Sequence, residues 1–243
     1  EYMEKKKEVL IIIPAYNEEA NIVNTCNKII EYNQKNDENY DFIVVNDGSR
    51  DRTGELCREH QFPVINLVHN LGIGGAVQTG YKYACENGYD IAVQYDGDGQ
   101  HDVACVKDII APILGGQADF VIGSRFVKKE QDNFKSTLMR RVGIRIISFA
   151  IRLVTGKKIY DTTSGFRACG KEIMKKFAQS YPAEYPEPVT TVELLKQKYR
   201  VCEEYVKMNE REGGVSSIRA WKTVYYMINV ILSIFVVGTR RYQ

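Results

Sequence analysis

The sequence predicts an α/β protein: a single domain with a mostly parallel central sheet and amphipathic or apolar helices at its C-terminal end. In the first half of the chain, apolar β-rich runs alternate with helical patterns, which is typical of β-α units on a parallel sheet. The first run, Val9 to Ile13, is continuously apolar, as expected of a strand covered on both faces. With 243 residues, 44% of them hydrophobic, the chain is long enough for one substantial core.

Turn residues and helix caps divide the first half into elements. Pro14 ends the first strand, and Asn17 is the predicted cap of a helix with Glu18 and Glu19 in its first turn. Asn46-Asp47-Gly48-Ser49 ends the second strand, and the glycines of the 72–75 segment open the third helix. The predicted strands are 9–13, 41–45, 64–67, 89–95 and 119–122, and the predicted helices are 17–33, 51–59, 72–87 and 103–114.

The alternation is lost after Gly123-Ser124-Arg125. Pro182, Pro186 and Pro188 predict an irregular connection in this half. Around it we expect helices over 136–154, 171–179, 190–198 and 221–237, a polar loop over 161–167 and a strand over 201–208. One domain is predicted over residues 8–217, and residues 218–243 are expected to form an apolar helix that docks on a membrane surface or a subunit.

Composition excludes several classes of protein. The net charge of +2 does not indicate a nucleic-acid binder. Six scattered cysteines without a C-x-x-C pair are typical of reduced thiols in a cytosolic protein. We expect no signal peptide, because Lys5-Lys6-Lys7 leads into an apolar run too short for a signal core.

Within the segment from Ile91 to Asp102, the carboxylates Asp96 and Asp98 follow one residue apart at the end of a predicted strand. Strand alternation places both on the same side, where they could face one divalent cation. Oxygen ligands of this kind suit Mg²⁺ or Mn²⁺, which keep open positions for substrate phosphates. A simple turn rich in glycine and aspartate is the alternative.

Polar groups follow three predicted strands, at Tyr16-Asn17-Glu18, at the 46–49 segment and at Asp96-Gly97-Asp98. Ligands of open α/β sheets lie beyond the carboxyl ends of the strands, so these groups predict a nucleotide pocket. Ordinary turn chemistry explains any one of them alone. The segment from Asn70 to Gly75 matches neither phosphate-loop pattern, and close packing under the substrate is at least as good an interpretation.

Five motifs resemble, in their order, those of inverting GT-A glycosyltransferases, whose fold is Rossmann-like. The resemblance is closest to the dolichol-phosphate mannosyltransferase-like branch, which loads a sugar onto a polyprenyl phosphate, and covers residues 8–217. The motifs are Ile11-Ile12-Ile13-Pro14-Ala15-Tyr16-Asn17-Glu18-Glu19, Asn46-Asp47-Gly48-Ser49, Asp96-Gly97-Asp98-Gly99-Gln100-His101, Gly123-Ser124-Arg125 and Thr163-Ser164-Gly165-Phe166-Arg167.

The resemblance implies a role for each matching position. The implied nucleoside-pocket residues are Pro14, Tyr16, Glu18 and Asp47; the implied metal and diphosphate ligands are Asp96, Asp98 and Gln100. Arg125, with Arg140 or Arg141 and Ser164, would meet the acceptor phosphate, and Arg211 would close over the donor diphosphate. Asp98, Arg125 and Arg211 are the implied catalytic residues. Two positions depart from the family pattern, Asn46 in place of an aspartate and Ile73 in place of a lysine, which leaves the base preference open.

The chemistry can also be derived from the reaction. Breaking a sugar–diphosphate bond develops negative charge on the departing phosphate, and a divalent ion together with Arg211 would stabilise that charge. A phosphate acceptor is largely anionic near neutral pH, so it needs little help from a general base. In-line attack by such an acceptor predicts inversion at the sugar carbon.

Seven basic residues and no acidic one lie between Lys135 and Tyr160, which favours contact with phosphate or with an anionic lipid surface over a merely solvated face. The apolar 224–238 segment is shorter than the roughly 20 residues that span a bilayer. Docking of this helix at the membrane interface and burial in an oligomer remain alternatives. For His101 we expect a supporting hydrogen bond rather than metal ligation, and for Glu187 either an acceptor-site role or a purely conformational one.

We therefore expect a metal-dependent hexosyltransferase that uses a nucleotide sugar, with a weak preference for UDP over GDP. Its acceptor is a polyprenyl phosphate for cell-envelope glycans, on the cytoplasmic face of the cell membrane, where a small membrane protein or a second copy could be a partner. One rival is an inverting enzyme acting on a sugar hydroxyl of a surface polysaccharide. Another is a nucleotide-sugar-binding subunit without catalysis.

Overall fold

The computed structural model describes residues 8–127, 138–207 and 220–240, with the backbone alone for 138–141 and 220–225. Within these ranges the strands are β1 (Val9–Ala15), β2 (Asp41–Asn46), β3 (Val64–Asn66), β4 (Ile91–Gln94), β5 (Phe120–Ser124), β6 (Arg167–Gly170) and β7 (Val201–Tyr205). The helices are α1 (Ile22–Asn36), α2 (Thr53–Glu59), α3 (Gly72–Glu86), α4 (Ala104–Leu114), α5 (Leu138–Thr155), α6 (Lys171–Gln179), α7 (Pro186–Lys196) and α8 (Ala220–Thr239). None of these helices combines the length and the hydropathy needed to cross a bilayer.

The strands form one sheet in the order β3-β2-β1-β4-β6-β5-β7. β6 is antiparallel to both of its neighbours, and the other strand pairs are parallel. The predicted α/β class with a mostly parallel sheet is confirmed. Because β6 runs in the opposite direction, its first residue lies at the edge where β1, β2, β4 and β5 end. Five segments therefore meet at one edge of the sheet.

Each face of the sheet carries its own core, which explains the uninterrupted apolar run of β1. Leu10 and Ile12 are fully buried on the face covered by α3, α6 and α7. Ile11 and Ile13 are fully buried on the opposite face, with residues of α1 and α4. A strand between two helical layers has no solvent face, so alternation with polar residues is lost.

The predicted start of the first helix is wrong. The helix begins at Ile22, and Asn17 adopts a left-handed backbone with φ of 56°. Its backbone N–H donates to Ser49 Oγ at 3.0 Å, and its Oδ1 accepts from the Arg50 N–H at 2.9 Å. Asn17 therefore links the loop after β1 to the loop after β2 instead of capping a helix.

The predicted irregular connection is observed only up to Tyr185, because the helix that follows it begins earlier than predicted. α7 begins at Pro186, so Pro186 and Pro188 lie in its first turn. Proline is tolerated there because the first N–H groups of a helix have no intrahelical partner. The predicted loop over 161–167 is correct up to Phe166, but β6, only four residues long, was not predicted.

Candidate active site

A cavity of about 460 Å³ opens at the edge of the sheet where β1, β2 and β4 end. This volume lies within the range of ordinary small-molecule sites. Six of the residues assigned from the sequence to the donor and the metal line it: Pro14, Tyr16, Glu18, Asp47, Asp96 and Asp98. The parallel strands thus bring together groups that are up to 84 positions apart in the sequence.

The loops after β1 and β2 are fastened to each other by hydrogen bonds. The Glu18 N–H donates to Thr53 Oγ1 at 2.9 Å, and the Glu19 N–H donates to Asp51 Oδ2 at 3.1 Å. Burial alone would raise the pKa of Asp51, but hydrogen bonds from Thr53 and Glu19 outweigh it and lower the pKa. Asp51 is thus held in its ionised form, and the wall that carries Tyr16 and Glu18 is fixed.

Asp47 anchors the floor of the cavity. Its Oδ1 accepts from the Leu71 N–H at 2.7 Å, and its backbone oxygen accepts from Asn70 Nδ2 at 3.1 Å. Gly48 has φ of +64°, and a Cβ there would lie 2.8 Å from the Asn70 nitrogen, so only glycine fits. The segment that begins at Asn70 therefore packs directly under the cavity, and its Gly72 and Ile73 form part of the lining.

The acidic pair lies in a loop and not on the strand. β4 ends at Gln94, before either aspartate, so strand alternation does not explain why both face one cavity. Instead the loop is anchored from its neighbours: Thr25 Oγ1 donates to the Gly97 oxygen at 3.2 Å, and the Tyr95 hydroxyl donates to the His101 oxygen at 2.6 Å. Both aspartates line one cavity, as predicted, but strand alternation is not the reason.

His101 supports Asp96 from inside the protein. The imidazole is 1% exposed, its Nε2 lies 3.1 Å from Asp96 Oδ2, and its ring stacks on Phe166 at 4.7 Å between centroids. Burial alone would raise the pKa of Asp96. The hydrogen bond and charge of His101 outweigh burial, with smaller contributions from Gln94 and Arg125, and the pKa of Asp96 is lowered. Asp96 is therefore ionised at neutral pH and ready to bind a cation.

The donor set fits a hard divalent cation that takes further ligands from its substrate. Among the described residues, no three or more His, Cys, Asp or Glu side chains are grouped closely enough to hold a metal ion. The chain offers Asp96 and Asp98 to the cavity, and Mg²⁺ typically binds to one or two carboxylates and completes its shell with water and phosphate. Gln100 does not line the cavity; its backbone N–H donates to Asp98 Oδ1 at 3.1 Å.

Arg125 lies in a buried ion pair. Its Nε donates to Asp161 Oδ2 at 2.7 Å and its Nη2 to Asp161 Oδ1 at 2.8 Å, while its backbone N–H donates to Oδ2 at 3.1 Å. The Asp161 N–H in turn donates to Glu203 Oε1 at 2.8 Å. Arg125 is 3% exposed and does not line the cavity. This geometry therefore does not indicate direct contact between Arg125 and an acceptor phosphate. Its guanidinium fixes the loop that follows Asp161.

Ser164 likewise lies inside this loop. It is 1% exposed, and its Oγ accepts from the Phe166 N–H at 3.3 Å. Its neighbours Thr163 and Gly165 line the cavity in its place. As for Arg125, this geometry does not support the direct contact with the acceptor phosphate that was expected for Ser164. Of the other predicted arginines, Arg211 lies outside the described residues, and the side chains of Arg140 and Arg141 are not described.

Arg167 is the structural link that sequence reasoning missed. It is 1% exposed; its Nε donates to the Ser164 oxygen at 2.6 Å, and its Nη1 donates to the Glu187 oxygen at 2.8 Å and to Thr190 Oγ1 at 3.1 Å. It ties the 161–166 loop to the first turn of α7. A lone arginine that starts an apolar segment (Arg167-Ala168-Cys169) was the signal available for such a buried role.

Through this link Glu187 faces the cavity beside Gly165 and Asp96. Burial raises the pKa of Glu187, and the nearby charge of Arg167 counteracts this only in part. Of the two roles left open for Glu187, a place at the site is the one that this geometry favours.

The comparisons with known proteins agree with this geometry. A family model described as glycosyl transferase family 2 matches residues 10–177. A UDP-N-acetylglucosamine–dolichyl-phosphate N-acetylglucosaminyltransferase of Methanococcus voltae is 33% identical, over 91% of this chain and 88% of its own. A polyprenol monophosphomannose synthase of Mycolicibacterium smegmatis is 28% identical, over 86% of this chain and 80% of its own.

Among solved structures, glucosyl-3-phosphoglycerate synthase from Mycobacterium tuberculosis, in complex with Mn²⁺, UDP and phosphoglyceric acid, has the same fold. The TM-score is 0.69 at 19% identity, over 98% of this chain and 80% of that one. The family predicted from the motifs is confirmed. The chain belongs to glycosyl transferase family 2 and is a glycosyltransferase.

Proposed function

We propose that this glycosyltransferase moves a hexose-type sugar from a nucleoside diphosphate to a polyprenyl phosphate, with inversion at the sugar carbon. The observation that carries the proposal is the cavity in which Asp96 and Asp98 lie next to Tyr16 and Asp47. A carboxylate pair beside a nucleoside-sized pocket suits a donor that carries its charge on a diphosphate.

In this proposal the residues after β1 and β2 bind the nucleoside. Tyr16 is 44% exposed and offers its ring to a base, while Glu18 and Asp47 offer hydrogen-bond acceptors to base or ribose donors. A weak preference for UDP over GDP follows the name of the Methanococcus voltae relative, which includes UDP-N-acetylglucosamine.

Asp96 and Asp98 would hold Mg²⁺ or Mn²⁺, and Gln100, the third ligand that the resemblance implies, would support Asp98 through its backbone N–H. When bound, the ion neutralises charge on the departing diphosphate. His101 keeps Asp96 ionised and oriented for that task. Arg211 is proposed to add a second positive charge at the same phosphates, where charge grows in the transition state.

The acceptor phosphate is proposed to meet Arg140 and Arg141 on α5. Arg125 acts indirectly: by holding Asp161, it positions the loop whose Thr163 and Gly165 line the cavity. Because a phosphate monoester is already anionic near neutral pH, none of these residues has to remove a proton from it. The relatives named for dolichyl or polyprenol phosphates support this choice of acceptor.

Glu187 supports the rival proposal, an inverting transferase that acts on a sugar hydroxyl. Such an acceptor needs a base, and Glu187 is a carboxylate that lines the same cavity as Asp96. Its raised pKa brings it closer to the working pH of a general base. The two proposals differ in whether Glu187 is needed for turnover.

The remaining parts of the proposal concern place and partners. A polyprenyl phosphate is held in a bilayer, so we propose that the protein works at the inner face of the cell membrane in cell-envelope glycan synthesis. A small membrane protein or a second copy remains a proposed partner. Residues 8–217 would form the catalytic part, and residues 218–243 the docking helix.

The test is to incubate the purified protein with a panel of UDP- and GDP-sugars, Mg²⁺ or Mn²⁺ and a short polyprenyl phosphate. The masses of the lipid products are then determined by mass spectrometry. We expect one sugar phospholipid, none after chelation of the metal, and a loss of about 100-fold or more in kcat/KM for Asp98→Asn. Asp108→Asn is the matched control, because Asp108 lies exposed on α4, and it should keep full activity. A sugar attached only to hydroxyl acceptors would replace this proposal with its rival.

A further inference from the structure

The catalytic cavity contains one acidic side chain that neither the nucleoside nor the metal accounts for. Of the five acidic residues in its described lining, Glu18 and Asp47 belong to the proposed nucleoside pocket, and Asp96 and Asp98 to the proposed metal site. The fifth is Glu187. The described lining contains no basic residue, so no cation within it pairs with Glu187. Its carboxyl group is therefore available to a ligand.

Glu187 lies on the metal side of the cavity. Gly165 packs so closely against the carboxylate of Asp96 that a Cβ on it would lie 2.7 Å from Asp96 Oδ2. Two residues further along, Arg167 Nη1 donates to the backbone oxygen of Glu187 at 2.8 Å. The short stretch 165–167 thus contacts both Asp96 and the first turn of α7. Glu187 and Asp96 therefore occupy adjoining parts of one wall.

The segment that leads into Glu187 is held in place at a conformational cost. Tyr185 has a left-handed backbone, with φ of 52° and ψ of 45°, which is unfavourable for a bulky residue. Its ring packs edge-on against Tyr226, with 5.0 Å between the ring centroids. On the other side α3 approaches so closely that a Cβ on Gly74 would lie 2.7 Å from Ala183 Cα. Strain of this kind persists only where the surroundings hold it, and it clusters at ligand sites.

A nucleotide sugar would bring its sugar to this part of the cavity. The sugar is bonded directly to the diphosphate, so a diphosphate held at Asp96 and Asp98 leaves the sugar beside them. Sugar hydroxyl groups need hydrogen-bond partners, and a carboxyl group offers two oxygens. The α3 side chains in the lining, Ile73 and Ala76, offer no polar atom. Glu187 is therefore the side chain best suited to meet the sugar hydroxyls.

We infer that Glu187 binds hydroxyl groups of the donor sugar and thereby selects the sugar that is transferred. Arg167 is a positioning residue, because it holds Glu187 through the backbone oxygen. A general base would act on the acceptor, so this role differs from the one that the rival proposal gives to Glu187. A sugar that lacks the contacted hydroxyl is rejected, because the carboxyl group then loses its partner. The inference rests on the proposed nucleotide-sugar donor but not on the proposed acceptor.

The experiment measures donor binding to the full chain by isothermal titration calorimetry, with Mn²⁺ and without any acceptor. The probes are UDP-glucose, UDP-N-acetylglucosamine and GDP-mannose, each beside its free nucleoside diphosphate. We expect Glu187→Ala to weaken binding of the preferred nucleotide sugar roughly tenfold or more and to leave binding of the free nucleotide unchanged. Glu187→Gln keeps a carbonyl acceptor and should weaken it less. The matched control is Glu184→Ala, an exposed glutamate outside the cavity lining, and it should bind both probes as the unmodified chain does.

Deoxy forms of the preferred sugar separate a direct contact from a structural role. In the unmodified chain, removal of the hydroxyl that meets Glu187 should weaken binding roughly tenfold. In Glu187→Ala the same removal should have no effect, because its partner is already absent. A residue that only shaped the cavity would leave the penalty for the missing hydroxyl unchanged.

Three results would overturn the inference. One is a Glu187→Ala variant that binds the nucleotide sugar as tightly as the control does, and another is a variant that loses the free nucleotide to the same extent. The third is an unmodified chain that binds none of the three nucleotide sugars. A Glu187-dependent sugar contact in a protein that transfers nothing to a polyprenyl phosphate would refute the proposed acceptor and leave this inference intact.

Discussion

Arg125→Gln should destabilise the protein severely, because it removes one half of a buried ion pair. Asp161 is fully buried and accepts three hydrogen bonds from Arg125, two of them from the guanidinium. Without the guanidinium, a buried carboxylate is left largely uncompensated, which costs about 3–5 kcal/mol. Against a typical stability of about 5–15 kcal/mol, this is a loss that urea unfolding followed by circular dichroism will resolve.

The matched control is Arg200→Gln, since Arg200 makes the same kind of pair with Asp119 in an exposed position. The Arg200 side chain is 57% exposed, against 4% for Arg125. Because water and salt screen an exposed pair, this variant should lose far less stability than Arg125→Gln. Equal losses for the two variants would show that burial does not decide the strength of these pairs, and the reasoning would fail.

Activity separates a positioning role of Arg125 from a direct contact with the acceptor. If Arg125 acts by holding the loop, Asp161→Asn and Arg125→Gln lower kcat/KM to a similar extent, and Arg125→Lys recovers part of it. The double variant then costs little more than either single one, because both changes break the same link. Full activity in Asp161→Asn beside an inactive Arg125→Gln would show that Arg125 touches the substrate itself.

Three further predictions concern α7 and the packing of α8 against α5. Glu187→Gln should leave transfer to a phosphate acceptor within about tenfold but abolish transfer to a hydroxyl, because only the hydroxyl needs a base. Burial raises the pKa of Glu187, so the folded state favours the neutral carboxyl group. The unmodified protein therefore loses stability as the pH rises through the pKa that Glu187 has in the folded state. Glu187→Gln should raise the melting temperature more at about pH 8 than at about pH 4. Gly238→Ala should destabilise the protein, because the added Cβ would clash with Val154 Cγ1. Gly143→Ala meets only the flexible end of Met227, at 3.3 Å, and should be neutral or stabilising. If the unfolding midpoints rank the two alanine variants in the opposite order, α8 does not pack against α5 at Gly143 and Gly238 as the structure indicates.

The nucleotide half of the site was predictable because it depends on local pattern and one topological rule. Apolar runs such as 9–13 identify the buried parallel strands, and ligands of such sheets collect at the strand ends. Tyr16 and Asp47 could therefore be placed without knowing any long-range contact, whereas Pro14 was assigned by the resemblance to known glycosyltransferases. The error at Asn17 has a physical cause as well: its best partners, Ser49 and Arg50, lie on another loop and compete with the role of a helix cap.

The acceptor half was less predictable because its residues act through distant partners. Arg125 and Asp161 are 36 positions apart, and only the antiparallel β6 brings their loops to one edge. β6 itself has four residues and begins with an arginine, so neither its length nor its composition indicates a strand. For Glu187, the sequence showed only a carboxylate between two prolines, and its place at the cavity depends on Arg167.

The reversed direction of β6 has a consequence for how such an enzyme can diversify. The chain leaves the sheet after β5 and returns to the same edge at β6, so the segment between them starts and finishes at the edge that carries the cavity. A longer or different segment between β5 and β6 leaves the order of β1, β2 and β4 unchanged. The arrangement of the residues proposed to bind the nucleotide is then unchanged as well. The loops after β1, β2 and β4 can therefore stay constant while the segment between β5 and β6 changes.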